Sequence, residues 1–156
     1  MGAIEDKLAG LGIVLPAAAA PVANYVPFVT TGNLLVISGQ LCLGSDGKIA
    51  DAHKGKLGGT VSPEAGKEAA RLCAINVLAQ AKAATGDLER IARCVRLGGF
   101  INAMPDFAAL ALVMNGASDL MVAVLGDKGR HARSTIGVAE LPLDAAVEVE
   151  AMFELR

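Results

Sequence analysis

The feature that most constrains the fold of this chain is a strictly alternating stretch at residues 147–155. Apolar residues occupy every second position, and three glutamates and a methionine lie between them. Successive side chains of a β-strand point to opposite faces of the sheet, so the pattern predicts a strand that is buried on one face only. The apolar face comprises Val147, Val149, Ala151, Phe153 and Leu155.

A further strand is predicted just before this one. Pro142 separates residues 134–139 from residues 146–153, and proline fixes its φ angle and donates no backbone hydrogen bond. We therefore expect the two segments to fold back on each other near Leu141. In that pairing Arg133 lies across from about Glu148, so that a cation and a carboxylate meet at the mouth of the sheet.

The composition is that of one domain, spanning residues 1–156, with no broad basic surface. The net charge is -2 and the pI is near 5.6, so neither nucleic acid nor an anionic membrane is an expected partner. Hydrophobic residues make up 53% but aromatics only 3%, and this surplus of small apolar residues indicates buried contacts between subunits. No apolar run reaches the roughly 18 residues of a membrane span. We expect a cytoplasmic protein.

Neither a disulfide framework nor a metal or cofactor site is predicted. Cys42, Cys73 and Cys94 are odd in number and show no CxxC spacing, which favours reduced core residues. His53 and His131 are distant in sequence and have no clustered cysteines, so a metal site is not expected. GxGxxG, P-loop and GxSxG patterns are absent from the sequence.

The remaining patterns predict the order β-β-α-β-α-β-β after a short N-terminal helix. The predicted segments are a helix at residues 3–11, an Ala/Pro-rich connector at 16–23, a hairpin of strands at 25–30 and 34–38, a helix at 62–85, a strand at 94–101, and a helical stretch from about 104 to 125 that is interrupted at 115–119. Residues 41–59 are predicted to form a mobile or extended loop. This order indicates an α+β fold with one mixed sheet and two helices on one face.

The second half of the helix at residues 62–85 is apolar nearly all round. Ile75 and Leu78 lie within a run of alanines and other apolar residues before Lys82. A helix that is apolar on every side must be buried on every side. Because so small a domain is not expected to surround the helix by itself, the pattern predicts that a partner subunit packs against it.

An ordered set of motifs resembles the RidA/YjgF family of reactive-intermediate imine deaminases. The motifs are Tyr25 before TGN at 31–33, SGQ at 38–40, AAR at 69–71, Ala132-Arg133-Ser134, LP at 141–142 and VEVEA at 147–151. The N-terminal helix and NGASDL at residues 115–120 resemble a divergent branch of that family. The resemblance implies a chorismate-mutase-like fold, a homotrimer whose sheets form an inner barrel, and ligand clefts between subunits.

The resemblance also implies an activity and a set of site residues. Small 2-enamino or 2-imino acids would be hydrolysed to 2-oxo acids and ammonia without a cofactor. Arg133 would hold the substrate carboxylate through two parallel hydrogen bonds, and Glu148 would position water or relay its proton. Tyr25 would wall the cleft. Further substrate contacts would come from Ser38, Gly39, Thr135 and Asn115.

Two positions depart from better-known members of the family. Thr135 stands where many members carry a cysteine, and that position is expected to contribute mainly its backbone. Gly137 stands where others often carry a glutamate, so the pocket is expected to be roomier and less charged. The sequence names no physiological substrate.

Each site residue also has an ordinary structural interpretation. Arg133 could belong to a surface ion pair, Glu148 to a solvent-facing strand row, and Tyr25 could offer a structural hydroxyl. His131 could serve as a base or lie solvated in a loop. Three functions therefore remain open: the deaminase, a noncatalytic trimer that binds a small carboxylate metabolite, and an endoribonuclease, which the acidic pI disfavours.

Overall fold

A computed structural model describes residues 2–20 and 23–156 and confirms the α+β class. The elements are α1 Ala3–Gly10, β1 Phe28–Thr31, β2 Leu34–Leu41, α2 Pro63–Thr85, β3 Ile91–Asn102, α3 Leu110–Leu125, β4 Ala132–Val138 and β5 Val147–Leu155, with short 3-10 turns between them. The predicted element order is confirmed. Residues 21 and 22 of the predicted connector lie outside the described residues.

The five strands form one mixed sheet in the order β1-β2-β5-β3-β4. β3 and β4 run parallel, and the other neighbours are antiparallel. α2 and α3 pack on the same face, which we call the helix face, and Leu35, Leu97 and Phe153 are buried beneath them. No helix of the described residues packs on the opposite face, which we call the open face.

The predicted pairing of the two C-terminal strands is wrong. β5 lies between β2 and β3, while β4 pairs in parallel with β3 at the edge of the sheet. The side of β5 that meets the helices is entirely apolar, so β5 gains most from a central position. The register places Arg133 beside Leu97 and Glu148 beside Phe100, so Arg133 does not lie across from Glu148.

The ends of α2 lie where the sequence predicts them. Its apolar surface, however, is covered by its own chain and not by the predicted partner subunit. Ser62 Oγ accepts a hydrogen bond from the Ala65 amide at 3.1 Å, and Gly86 ends the helix at φ 73°. The middle of the helix is buried within its own chain. Gln80 Nε2 donates to the Ala19 carbonyl at 2.8 Å, and Lys82 pairs with Glu5 of α1. The burial of α2 therefore needs no partner subunit, and that argument for a trimer is wrong.

α3 is continuous, so the predicted interruption at residues 115–119 is wrong. The helix also begins at Leu110 rather than near residue 104. Gly116 lies where α3 approaches α2 most closely, since a Cβ atom there would overlap the Lys67 carbonyl. Its glycine is thus a packing requirement and not a break.

By length and composition, the segment Leu110–Gly129 could cross a membrane, although no such run was expected from the sequence. In this structure 44% of the apolar window is buried. Val113, Met114 and Met121 of α3 are fully covered by the fold. One face of the segment is therefore packed against the fold, and the rest is partly exposed.

The loop at residues 41–59 is ordered, against the prediction of a mobile or extended segment. Leu57 is fully buried, and its amide donates to the Asn102 carbonyl at 2.9 Å. Lys56 Nζ donates to Asn102 Oδ1 at 2.7 Å. The loop is thereby fixed to the end of β3, a long-range contact that leaves no periodic pattern in the sequence.

The cysteines are confirmed as reduced core residues. All three thiols are unpaired and buried. Cys73 Sγ donates to the Val147 carbonyl at 3.3 Å, and burial raises the pKa of Cys94 to about 12. Cys73 and Cys94 therefore behave as small apolar side chains, whereas hydrogen bonding to Cys73 lowers the pKa of Cys42 to about 7.

Candidate active site

The seven site residues predicted from the sequence fall into two groups on different parts of the sheet. The first, which we call the arginine group, lies between the edge strand β4 and α3, and comprises Arg133, Thr135 and Asn115 together with Ser118. The second, which we call the glutamate group, lies where β2 meets β5, and comprises Glu148, Gly39, Ser38 and Tyr25.

Helix α3 holds the guanidinium of Arg133 on the helix face. Nη1 donates to Asn115 Oδ1 at 2.8 Å and to Ser118 Oγ at 3.1 Å. Nη2 donates to the Ala111 carbonyl at 3.4 Å. The three acceptors lie on successive turns of one helix, so they fix both the position and the plane of the guanidinium.

These contacts leave one edge of the Arg133 guanidinium open. Nη1 donates two hydrogen bonds to α3 and Nη2 donates one, and within the described residues Nε donates to no protein acceptor. The Nε–Nη2 edge of a guanidinium can present two parallel donors to one ligand. Such a pair matches the two oxygens of a carboxylate, and arginine is the residue best suited to that geometry.

Ser118 and His131 extend the arginine group and were not assigned to it from the sequence. His131 Nδ1 lies 2.5 Å from the Gly129 carbonyl, which can only accept, so Nδ1 carries the proton. Nε2 is therefore the acceptor for the Ser118 hydroxyl, at 2.9 Å. Burial, and then the positive charge of Arg133, lowers the pKa of His131, which favours this neutral form. Only the contact between α3 and β4 reveals the pair.

Thr135 adds an unpartnered hydroxyl beside Arg133. The register aligns Arg133, Thr135 and Gly137 along one row of β4, facing α3. A Cβ atom on Gly99, the neighbour of Thr135, would overlap the Met114 side chain of α3, which confirms the direction of the row. Thr135 Oγ1 is buried, and among the described residues it has no hydrogen-bond partner. The hydroxyl can therefore serve a ligand held by Arg133.

A β-bulge builds the glutamate group. The register between β2 and β5 shifts between Ile37 and Gln40, so Ser38 and Gly39 leave the regular ladder. A Cβ atom on Gly39 would overlap the Glu148 carboxylate, so glycine is required for that carboxylate to lie against the β2 backbone. Ser38 Oγ donates to the Val26 carbonyl at 2.7 Å. This bond fixes the segment that carries Tyr25.

Tyr25 lies before β1 rather than opening it, since β1 begins at Phe28. Its side chain is 54% exposed. The next residue, Val26, accepts a hydrogen bond from Ser38, so Tyr25 lies in the chain segment held at the β2 bulge. Its exposure is compatible with a cleft wall.

The Glu148 carboxylate is arranged to accept a proton. Burial, and then the neighbouring negative charge of Glu150, raises the pKa of Glu148 above its ordinary value of 4.5. A carboxylate with a raised pKa is a stronger base than an exposed glutamate, which is what general acid–base catalysis near neutral pH needs.

In the part of the chain that the structure describes, no three His, Cys, Asp or Glu side chains could together hold a metal ion.

The two groups do not form one site within a single chain. Glu148 shares its row with Phe100 and Ile136 on the open face, whereas Arg133 shares its row with Leu97 on the helix face. Strand β3 also separates β5 from β4. The arginine and glutamate groups can meet around one ligand only if a second copy supplies one of them.

Comparison with known proteins identifies similar chains. Residues 5–155 match the family described as "YjgF/chorismate mutase-like, putative endoribonuclease". Protein TCP17 of Trypanosoma cruzi is 47% identical over 156 residues, which cover 99% of this chain and 96% of that protein. The crystal structure of Atu1372 from Agrobacterium tumefaciens is 49% identical with a TM-score of 0.91, covering 99% of this chain and 93% of that chain. The structure of TdcF from Escherichia coli with bound serine is 25% identical with a TM-score of 0.63, covering 89% and 93%.

Proposed function

Because the chain belongs to the RidA/YjgF family, we propose that it hydrolyses small reactive 2-imino and 2-enamino acids to 2-oxo acids and ammonia. The open Nε–Nη2 edge of Arg133 carries this proposal, since it is a ready carboxylate clamp. TdcF, a similar protein, binds serine, which supports a small ligand with a carboxylate. A cytoplasmic location, where pyridoxal-phosphate enzymes release such intermediates, suits the activity.

The proposed site combines two copies of the chain. The arginine group comes from one copy and the glutamate group from its neighbour, since the sheet separates them within a chain. A head-to-tail contact of this kind forms a ring where its rotation closes, and the family resemblance implies a ring of three. The open face supports the assembly, because Val36 is 37% exposed and Ile136 is 50% exposed there.

The proposed reaction uses the two groups in sequence. Arg133 orients the imino acid through its carboxylate, with the Thr135 hydroxyl beside it. Glu148 of the neighbouring copy takes a proton from water as the water oxygen bonds to the imine carbon and the second carbon–nitrogen electron pair moves to nitrogen. Glu148 returns this proton to the nitrogen, which gives a carbinolamine. The carbinolamine hydroxyl then loses its proton to the nitrogen through Glu148, the carbon–nitrogen bond breaks as the C=O bond forms, and a 2-oxo acid and ammonia are released. One water is consumed for each imine.

The direct test measures 2-oxo acid and ammonia release from freshly generated 2-iminopropionate. The wild-type protein is expected to accelerate release, and Arg133→Ala is expected to lose the acceleration. If the wild-type protein binds the carboxylate but gives no acceleration, it is a noncatalytic metabolite-binding protein. If the wild-type protein cleaves RNA and releases no 2-oxo acid, the deaminase proposal is wrong. If Arg133→Ala also cleaves RNA, that cleavage does not depend on the arginine group.

A mixing experiment tests the two-copy site. Arg133→Ala and Glu148→Gln are each expected to be inactive alone, since every cleft lacks one partner. When equal amounts are unfolded together and refolded, random assembly of a ring leaves about one cleft in four with both native residues. About a quarter of wild-type activity should return. No recovery, with mixed rings demonstrated by mass spectrometry, would place both residues in the same copy's site.

A further inference from the structure

We propose that this site selects 2-imino acids with bulky apolar side chains, such as branched or aromatic ones, and that a cavity beside Gly137 receives the side chain. The proposal rests on the function proposed above. The cavity measures about 400 Å³ and lies between the end of β4, the start of α3 and the segment before it. Met104, Phe107, Leu110, Gly137 and Val138 line it.

The cavity lies beside the carboxylate clamp, at the end of the same strand. Arg133, Thr135 and Gly137 occupy one row of β4, and α3 runs above that row. Nη2 of Arg133 reaches the Ala111 carbonyl, and the next residue, Leu110, forms a wall of the cavity. A ligand whose carboxylate lies on the open edge of Arg133 therefore has its side chain directed past Thr135 to the cavity.

The chemistry of the lining determines which side chain fits. The side chains that line the cavity are all apolar, and its polar surface comes from backbone groups and not from an ionisable side chain. Each methylene that enters such a lining adds about fourfold to binding. A leucine-derived imine is therefore expected to exceed an alanine-derived imine by about 10- to 50-fold in kcat/KM.

Gly137 controls access to the cavity. A Cβ atom at this position would meet only Leu110 and Ala103 side chains, at 3.5 Å and beyond, which is ordinary contact. The backbone of Gly137 is not left-handed. A larger residue is therefore compatible with the strand, and its side chain would occupy the cavity.

The experiment compares imines made in place from alanine, leucine and phenylalanine by an amino-acid oxidase with catalase. The wild-type protein should favour the leucine-derived and phenylalanine-derived imines. Gly137→Val should lower the leucine-to-alanine ratio of kcat/KM by about tenfold. Ala83→Val is the matched control, because Ala83 is exposed on α2, away from the cavity and from the open face of the sheet. It should keep the wild-type preference.

The outcomes separate this proposal from the function on which it rests. Equal rates for all three imines, unchanged by Gly137→Val, would overturn the selection and leave the deaminase intact. If no imine is hydrolysed, the deaminase proposal fails, and calorimetry with 4-methyl-2-oxopentanoate and pyruvate still tests the cavity. The larger acid should bind about tenfold more tightly to wild type and lose that advantage in Gly137→Val. Equal affinities would overturn the proposal.

Discussion

The arginine group and the glutamate group differ in how the fold holds their charges. Arg133 is fixed by three acceptors on α3, and the contacts that fix it also select which of its edges remains open. Glu148 rests against a bulge made possible by Gly39, and both burial and Glu150 oppose its negative charge. Under the proposed function, the arginine group would orient the substrate and the glutamate group would take up a proton.

The difference indicates how the two faces of one sheet can provide one environment for holding a carboxylate and another for accepting a proton. A clamp works best when its donors are immobile before the ligand arrives. A proton acceptor works best when its charged form is not fully stabilised. Placing the groups on different faces lets each environment be set separately, and assembly would then bring the two environments to one ligand.

The largest expected effect comes from Arg133. Arg133→Ala should lower kcat/KM by about 10- to 100-fold from lost binding alone, with misorientation adding to the loss. Arg133→Lys should fail nearly as badly, because lysine keeps the charge and loses the two parallel donors. Steady-state kinetics on 2-iminopropionate measures both.

A stability measurement distinguishes a clamp from a structural residue. Arg133 makes hydrogen bonds to α3, so its removal should cost about 1 kcal/mol of unfolding free energy, as should Asn115→Ala. If Arg133→Ala unfolds the protein at room temperature, Arg133 is structural. If it stays folded at wild-type activity, the carboxylate is held elsewhere.

The next effect tests the glutamate group alone. Gly39→Ala should move the Glu148 carboxylate off the β2 backbone and lower kcat by about 10- to 100-fold, the range of a positioned general base. Gly98→Ala is a matched control, because a Cβ atom there meets the Glu150 carboxylate at 2.7 Å instead. Its effect on kcat should be much smaller. Equal losses in the two variants would mean that any distortion of the sheet abolishes activity, and that Glu148 has no special position.

The sequence predicted the elements well because local patterns determine them. The alternation of residues 147–155 and the start of α2 at Ser62 are properties of short segments, and both are confirmed. The partner of β5 is not such a property. Strand pairing depends on which strand buries the most apolar surface, and that comparison spans the whole sheet. The predicted hairpin used only the nearest proline, and it was wrong.

The arrangement of the candidate site, like the strand pairing, could not be predicted from local sequence patterns. Motif resemblance predicted Arg133, Asn115, Gly39 and Glu148 as site residues, but it did not predict that they form two groups. The helix was expected to break at residues 115–119, whereas the continuous α3 directs Ser118 at Arg133. Contacts between residues far apart in sequence carry no local signal, so only the fold shows them.

A smaller effect tests how much of the arginine group is needed. Ser118→Ala removes one of the three bonds to the Arg133 guanidinium, while Asn115 and the Ala111 carbonyl remain. A neutral hydrogen bond of about 0.5–1.5 kcal/mol predicts a rise in KM of about 2- to 10-fold with kcat nearly unchanged. Asp119→Ala, on the next residue and outside this network, should change neither constant. A loss in kcat instead would indicate that Ser118 and His131 take part in the chemistry.

The smallest effect at neutral pH, and the most specific, comes from Glu150→Gln. The raised pKa of Glu148 means that its base form is lost as the pH falls through that raised value, so kcat/KM should decline on the acid side above pH 4.5. Removing the Glu150 charge lowers the pKa of Glu148, so the acid limb should move to lower pH while the rate at neutral pH barely changes.

The raised pKa of Glu148 affects the stability of the fold in the opposite direction, because it favours the folded state at low pH. A carboxyl group whose pKa is raised by folding stabilises the fold below its ordinary pKa, and this contribution is lost as the pH rises through the folded value. Glu150→Gln should therefore make unfolding less pH-dependent above pH 4.5, measured by thermal melts beside the pH–rate profile. An acid limb that does not move would show that another group limits the rate.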